Sequence, residues 1–156
     1  MVKKLLNMSQ SLSTVYIHTI FGTKNRAPLI SENIEKNLHA YMAGILKGLN
    51  SPALKINSMP DHIHILFRQS KNHSIAHILE LLKKDSSKWM KTQNVIDFKW
   101  QGGYAAYSVS QSKVEHTIKY IENQKIHHKK MTFEQEIEKF MIQYQVTQYS
   151  KDFFWE

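Results

Sequence analysis

The chain has 156 residues, 42% hydrophobic and 22% charged, ordinary values for one globular domain built on a single sizeable core. Its 21 Lys and Arg against 13 Asp and Glu give a formal charge of +8, with nine histidines besides, so the surface attracts polyanions: nucleic acid first, an anionic membrane surface second, unless the charge serves only solubility. The absence of cysteine excludes a disulfide framework and a thiolate zinc site and fits a reducing, cytoplasmic setting, while no segment approaches membrane-spanning length and the first ten residues lack a signal-like apolar run.

Residues 1–11 read as a loose polar tail ahead of a single domain over residues 12–156. Leu12 to Phe21 is rich in Val, Ile, Thr, Tyr and Phe, which predicts a strand. Its alternation puts Val15, Ile17, Thr19 and Phe21 on one face and Tyr16, His18 and Ile20 on the other. Gly22 to Leu29 is a basic loop with Lys24, Arg26 and Pro28. Ser31 is the expected N-cap of a helix with Glu32 and Glu35 in its first turn. Ile34, Leu38, Tyr41, Met42, Ile45, Leu46 and Leu49 keep helical spacing, and Asn50-Ser51-Pro52 stops it.

Leu54 to Ser58 is a short strand candidate. Met59-Pro60 turns it into a hairpin with the stretch Asp61-His62-Ile63-His64-Ile65-Leu66-Phe67. Arg68 to His73 is a polar loop. Ser74 caps a second helix that turns Ile75, Ile78, Leu79, Leu82 and Trp89 inward and displays Lys83, Lys84, Lys88 and Lys91. That lysine run is either a solvated face or a phosphate-binding one. Gln101-Gly102-Gly103 is a turn, and Tyr104 to Ser110 a strand. Ser112-Lys113-Val114-Glu115 has the form of a capping box for a third helix running to about His128. Phe133 to Tyr144 is also helical in spacing, and Phe153-Phe154-Trp155 are aromatics expected to dock.

Two pairs carry chemistry. In a strand, side chains at i and i+2 share a face roughly 6–7 Å apart, so His62 and His64 project together while Ile63 and Ile65 face the core. Two imidazoles can converge on one divalent ion, or stand on a solvated face; two ligands do not complete a site. In the third helix Val114, Ile118 and Ile121 form the apolar stripe. Tyr120 and Gln124, at i and i+4, lie roughly 100° from its centre, at the edge of the core. Spacing alone leaves them either as a half-buried tyrosine and a surface glutamine, or as a nucleophile beside an oxygen ligand for a hard cation. Asp61 is expected to point away from the histidine face, and His127 and His128 toward the surface or DNA.

Five separated segments carry a resemblance. His62-Ile63-His64 is similar to a His-hydrophobic-His metal motif. The stretch from His18 to Arg26 is similar to a first strand with its basic loop, and Leu82 to Trp89 to a lysine-rich helix. Trp100 to Ser110 is similar to the strand before a catalytic helix, and Tyr120 to His128 to that helix itself. In this order they resemble the single-tyrosine HUH transposases of the IS200/IS605 type.

That resemblance implies an α+β sandwich, ferredoxin-like or RRM-like, with a central antiparallel sheet and helices packed on one face. It implies Mg²⁺ or Mn²⁺ held by His62, His64 and Gln124. Tyr120 would attack a phosphodiester of single-stranded DNA to give a 5′-phosphotyrosine and a free 3′-OH. It further implies hairpin DNA as partner, a homodimer able to share sites between subunits, and DNA contacts from Lys24, Arg26, Lys83, Lys84 and Lys88. The residues alone do not choose tyrosine over water as nucleophile. A hairpin-binding module without catalysis and a water-using nuclease are the alternatives.

Overall fold

A computed structural model describes residues 9–156. Most of the expected polar tail, residues 1–8, lies outside the described residues; residues 9–11 are exposed and without regular structure. Four strands, β1 (Tyr16–Gly22), β2 (Ala53–Met59), β3 (His62–Arg68) and β4 (Ala105–Val109), form one antiparallel sheet in the order β2-β3-β1-β4. The helices are α1 (Glu32–Gly48), α2 (Ile75–Thr92), α3 (Val114–Glu122), α4 (Gln124–His127) and α5 (Phe133–Gln143). The α+β class with an antiparallel central sheet is the expected one.

The expected first strand is shortened at its start. Tyr16 pairs with Arg68 on one side and Val109 on the other, and these are the last residues of β3 and β4. Upstream of Tyr16 the Val15 carbonyl still accepts from the Gln69 amide at 2.8 Å, but among the described residues no strand pairs with the chain there, and Leu12 is 90% exposed despite its apolar side chain. From Tyr16 onward the alternation follows the expectation. Ile17 and Phe21 join Ile63, Ile65 and Phe67 of β3 on one face. Against them pack Leu38, Met42 and Leu46 of α1 and Ile78, Leu79, Leu82 and Met90 of α2. Burying each such side chain contributes about 1.5–3 kcal/mol, so this layer holds the two long helices to the sheet. Ser74 caps α2 by accepting from the His77 amide at 3.1 Å.

The opposite face of the sheet is also covered. Ile20, Ala105 and Tyr107 lie under Phe133, Ile137 and Met141 of α5 and under Phe154. Leu66 and Val109 lie under Val114 and Ile121 of α3. The terminal aromatics dock as expected at Phe154, whereas Trp155 stays half-exposed with the Arg26 guanidinium 5.5 Å from its ring. This second layer lays α3, α4 and α5 across the face from which His62 and His64 project.

Two local expectations change. The box at Ser112 does not form: residues 111–113 make a single 3-10 turn, and Lys113 precedes α3 with no side-chain cap. The capping box is at Thr132 and Gln135, where side chain and backbone bond reciprocally and open α5. The third helix is also broken. It stops at Asn123 and resumes as α4. Asn57 of β2 donates to the carbonyls of Ile121 at 2.8 Å and Glu122 at 3.2 Å, taking up the free carbonyls at the end of α3.

Candidate active site

The pleat of β3 sets the first two groups. The rings of His62 and His64 stand 5.5 Å apart, both fully buried. Each is oriented from behind. His62 Nδ1 meets Asp61 Oδ1 at 2.8 Å, and His64 Nδ1 meets His18 Nε2 at 2.9 Å. Both Nε2 atoms therefore face the same space, the arrangement that fixes the tautomer of ligating histidines. Asp61 is fixed in turn by Arg26, whose guanidinium donates to it at 3.0 Å and to Glu134 at 3.1 Å while lying 5.0 Å from the Phe133 ring. Phe133 stacks on His62 at 4.3 Å. The Asp61 carbonyl accepts from the Thr23 amide at 2.9 Å, which ties the β2–β3 turn to the end of β1. Asp61 is thus turned toward His62, contrary to expectation, because its side chain lies beside the ring edge rather than on the strand face.

The second layer brings a carboxylate into this space. Glu136 of α5 is 1% exposed. Its Oε1 lies 2.9 Å from His64 Nε2, 3.2 Å from His128 Nε2 and 3.6 Å from His62 Nε2. The Nε2 atoms of His62 and His128 are 3.0 Å apart. One ligand atom from each of these four residues lies within 4.8 Å of the others. That is near the span of ligands held ~2.0–2.2 Å from a common ion, and three imidazoles with a carboxylate suit a divalent transition ion. The donor set therefore fits a metal.

The other oxygen of Glu136 faces the phenol. Tyr120 donates its hydroxyl to Glu136 Oε2, and Gln124 Nε2 donates to the same oxygen at 3.1 Å. Gln124 Oε1 lies 3.1 Å from His128 Nε2. Tyr120 is flanked by His127, stacked at 4.6 Å, and by His18, its ring 6.3 Å away. His127 Nε2 is buried with no hydrogen-bond partner among the described residues.

The electrostatics follow the contacts. Burial opposes ionisation of Glu136, but His64 and the hydrogen bonds from His128 and His62 hold its carboxyl far below the usual range. Burial, with the neighbouring Glu136 charge, pushes the Tyr120 phenol well above its ordinary value. Burial lowers His64 and, still more, His18, whereas Asp61 and Glu136 outweigh burial at His62 and raise it.

A family model described as an IS200-like transposase matches residues 11–124. The chain belongs to the IS200-like transposase family. Two solved structures resemble it in fold. A candidate transposase from Deinococcus radiodurans R1, 22% identical, superposes with a TM-score of 0.59 over 75% of this chain and 98% of its own. A REP-associated tyrosine transposase bound to a REP hairpin, 13% identical, gives 0.56 over 78% of this chain and 74% of its own. No curated protein matches the chain.

In this IS200-like transposase the expected His62, His64, Tyr120 and Gln124 all meet in one place, within a single chain. His128 and Glu136 were not expected there. Both lie beyond the residues that the family model matches. Each left a signal: His128 continues the run Tyr120, Gln124 at i+8, and Glu136 sits three residues after Phe133, on the buried stripe of α5. The expected DNA contacts separate into two groups. Arg26 is engaged by Asp61 and Glu134. Lys24, Lys83 and Lys84 line a cavity of about 490 Å³, together with Lys99, and Lys88 is exposed on α2. Lys83 Nζ donates to the carbonyls of Gly102 and Gly103 at 3.2 and 2.9 Å.

Proposed function

We propose that this transposase cleaves and rejoins single-stranded DNA at insertion-sequence ends with Tyr120 as nucleophile. The observation that carries the reading is the bridging of Glu136: one oxygen meets the Tyr120 hydroxyl while the other faces three histidine nitrogens. A phenol is a poor nucleophile at its ordinary pKa of about 10, so a positioned base has to take its proton during attack. Glu136 Oε2 accepts the hydrogen bond of the phenol and passes that proton on toward solvent, because the surrounding histidines keep its carboxylate ionised. Tyr120 Oη forms a bond to phosphorus, and the bond from phosphorus to the 3′ oxygen breaks. The products are a 5′-phosphotyrosine and a 3′-OH, the leaving oxygen being protonated from solvent. Attack by a 3′-OH on the same link, with the proton returned to Tyr120, joins strands without a high-energy cofactor.

His62, His64, His128 and Glu136 would hold the ion, with Gln124 Oε1 as the adjoining oxygen donor. A bound Mg²⁺ or Mn²⁺ supplies charge stabilisation at the scissile phosphate. Asp61 and His18 orient the two ligating rings, and Gln124 braces Glu136. The substrate is DNA with hairpin ends, carried on the basic groove of Lys24, Lys83, Lys84 and Lys88. Residues 12–156 act as one HUH domain in a homodimer. Because Tyr120 and the histidines meet within one chain, each subunit cleaves with its own tyrosine.

The test is a denaturing gel of single-stranded hairpin DNA incubated with protein and Mn²⁺. A 3′-labelled strand becomes protein-linked, a 5′-labelled strand is shortened and free, and Tyr120→Phe binds without linking. Cleavage that survives Tyr120→Phe identifies water as the nucleophile. Binding without cleavage by the parent protein under either metal leaves only a hairpin-binding module.

A further inference from the structure

Beside Tyr120, away from the side where Asp61, His62 and His128 line a second cavity, lies a cavity of about 440 Å³. We propose that it binds one nucleotide of the single strand adjoining the scissile phosphate; this rests on the reading of Tyr120 as nucleophile. Three features select that occupant. The first is charge: Lys113 from the turn before α3, His116 of α3 and Lys139 of α5 line the cavity, and among the described residues no Asp or Glu does. Both lysines are exposed and free to meet phosphate oxygens.

The second is the wall. Phe140 and Tyr144 line it, and both stack on the buried Tyr107 at centroid distances of 5.5 and 4.5 Å. A rigid aromatic column beside lysines is how sequence-tolerant proteins hold single strands, the base stacking while the backbone meets cations. The third is size. The cavity lies at the lower end of the range for small-ligand pockets, about 300–1,000 Å³, which admits one nucleotide. Tyr120 forms part of the same lining, so a nucleotide held there brings its neighbouring phosphate to the phenol. The basic groove on the α2 side would then carry the folded DNA, and this pocket the flanking unpaired strand.

The test uses a short fluorescent oligothymidylate, an abasic strand of equal length and a blunt DNA hairpin, titrated by anisotropy without divalent metal so that no strand is cut. Lys113→Ser with Lys139→Ser weakens oligothymidylate binding and makes its salt slope shallower by about 1.4, two phosphate contacts on a single strand. Tyr144→Ala weakens it about 5- to 150-fold and leaves the abasic strand unchanged, whereas Tyr144→Phe binds as the parent does. Both sets leave the blunt hairpin unaffected. Should Tyr144→Ala melt at much lower temperature, Tyr144→Phe and the exposed lysine pair still decide the matter. Oligothymidylate affinity that is unchanged in the lysine pair, or that falls instead in Lys24→Ser with Lys84→Ser, overturns the pocket. Strand binding in the pocket by a protein that forms no adduct overturns the catalytic reading alone; an adduct with unchanged binding in the pocket variants overturns the pocket alone.

Discussion

Asp61→Asn probes the support of the site without touching its ligands. The carboxylate makes two contacts, to His62 Nδ1 at 2.8 Å and to Arg26 at 3.0 Å. An amide keeps one oxygen and turns the other into a donor. If the oxygen stays on His62, the NH₂ faces the guanidinium, donor against donor, and the ion pair is lost. A hydrogen bond between charged groups contributes about 1.5–3 kcal/mol, and Asp61 is buried enough for that range to apply, its side chain being 23% exposed. If instead the oxygen stays on Arg26, the NH₂ faces His62 Nδ1 and forces the proton onto Nε2, where it blocks metal binding. Partners of this kind are worth 10–100-fold in metal affinity. Calorimetric titration with Mn²⁺ should give an affinity lowered about 10–100-fold. Melting of the metal-free protein should show a loss of about 3–12 °C. Unchanged Mn²⁺ affinity together with an unchanged melting temperature would refute the orientation of His62 by Asp61.

The remaining expectations concern the fold and the ion. Mn²⁺ at a hundredfold excess over its dissociation constant stabilises by about 2.7 kcal/mol, so scanning calorimetry should show a rise of about 5–11 °C that EDTA reverses and that His62→Ala lacks. Phe154→Ala removes a side chain packed edge-on against Phe133, itself stacked on His62; urea unfolding should show a loss of about 3–5 kcal/mol, and a loss below about 1 kcal/mol would deny the terminal strap a structural role. Burial, only partly offset by Glu156, lowers the Lys83 amine to about 8. Between about pH 8 and its ordinary value of about 10.4 the unfolded chain binds the extra proton, so stability rises with pH in that window and the penalty is fully present below it. Relative to Lys83→Gln, the parent protein should gain melting temperature as pH is raised from 8 to 10, and a constant difference would contradict the burial of this lysine.

Much of the site was legible because two periodicities report directly on side-chain direction. The period of two places His62 and His64 on one face of β3, whatever covers that face. Helical spacing joins Tyr120 to Gln124 even though the helix breaks between them, since Asn123 redirects the chain by only one residue before α4 resumes. Glu136 was not legible in the same way. The stripe Phe133, Ile137, Phe140 and Met141 reads as a core helix with acids in its first turn, and only the folding of α5 over the second face of the sheet brings one of those acids to β3. The partners of Arg26, which the resemblance gives as a DNA contact, were not legible either, because a loop arginine carries no local sign of residues 35 and 108 positions away, at Asp61 and Glu134. The second layer as a whole depends on non-local packing of short helices, each of which reads in isolation as an ordinary amphipathic segment.

The central claim is a covalent bond between one side chain and DNA, and peptide mass spectrometry of the trapped adduct tests it most directly. After nuclease trimming and trypsin digestion, the nucleotide mass should be found on the peptide Tyr120–Lys125, on the phenol. A nucleotide attached to any other residue, or a cleaved strand with no attached peptide at all, would contradict the account.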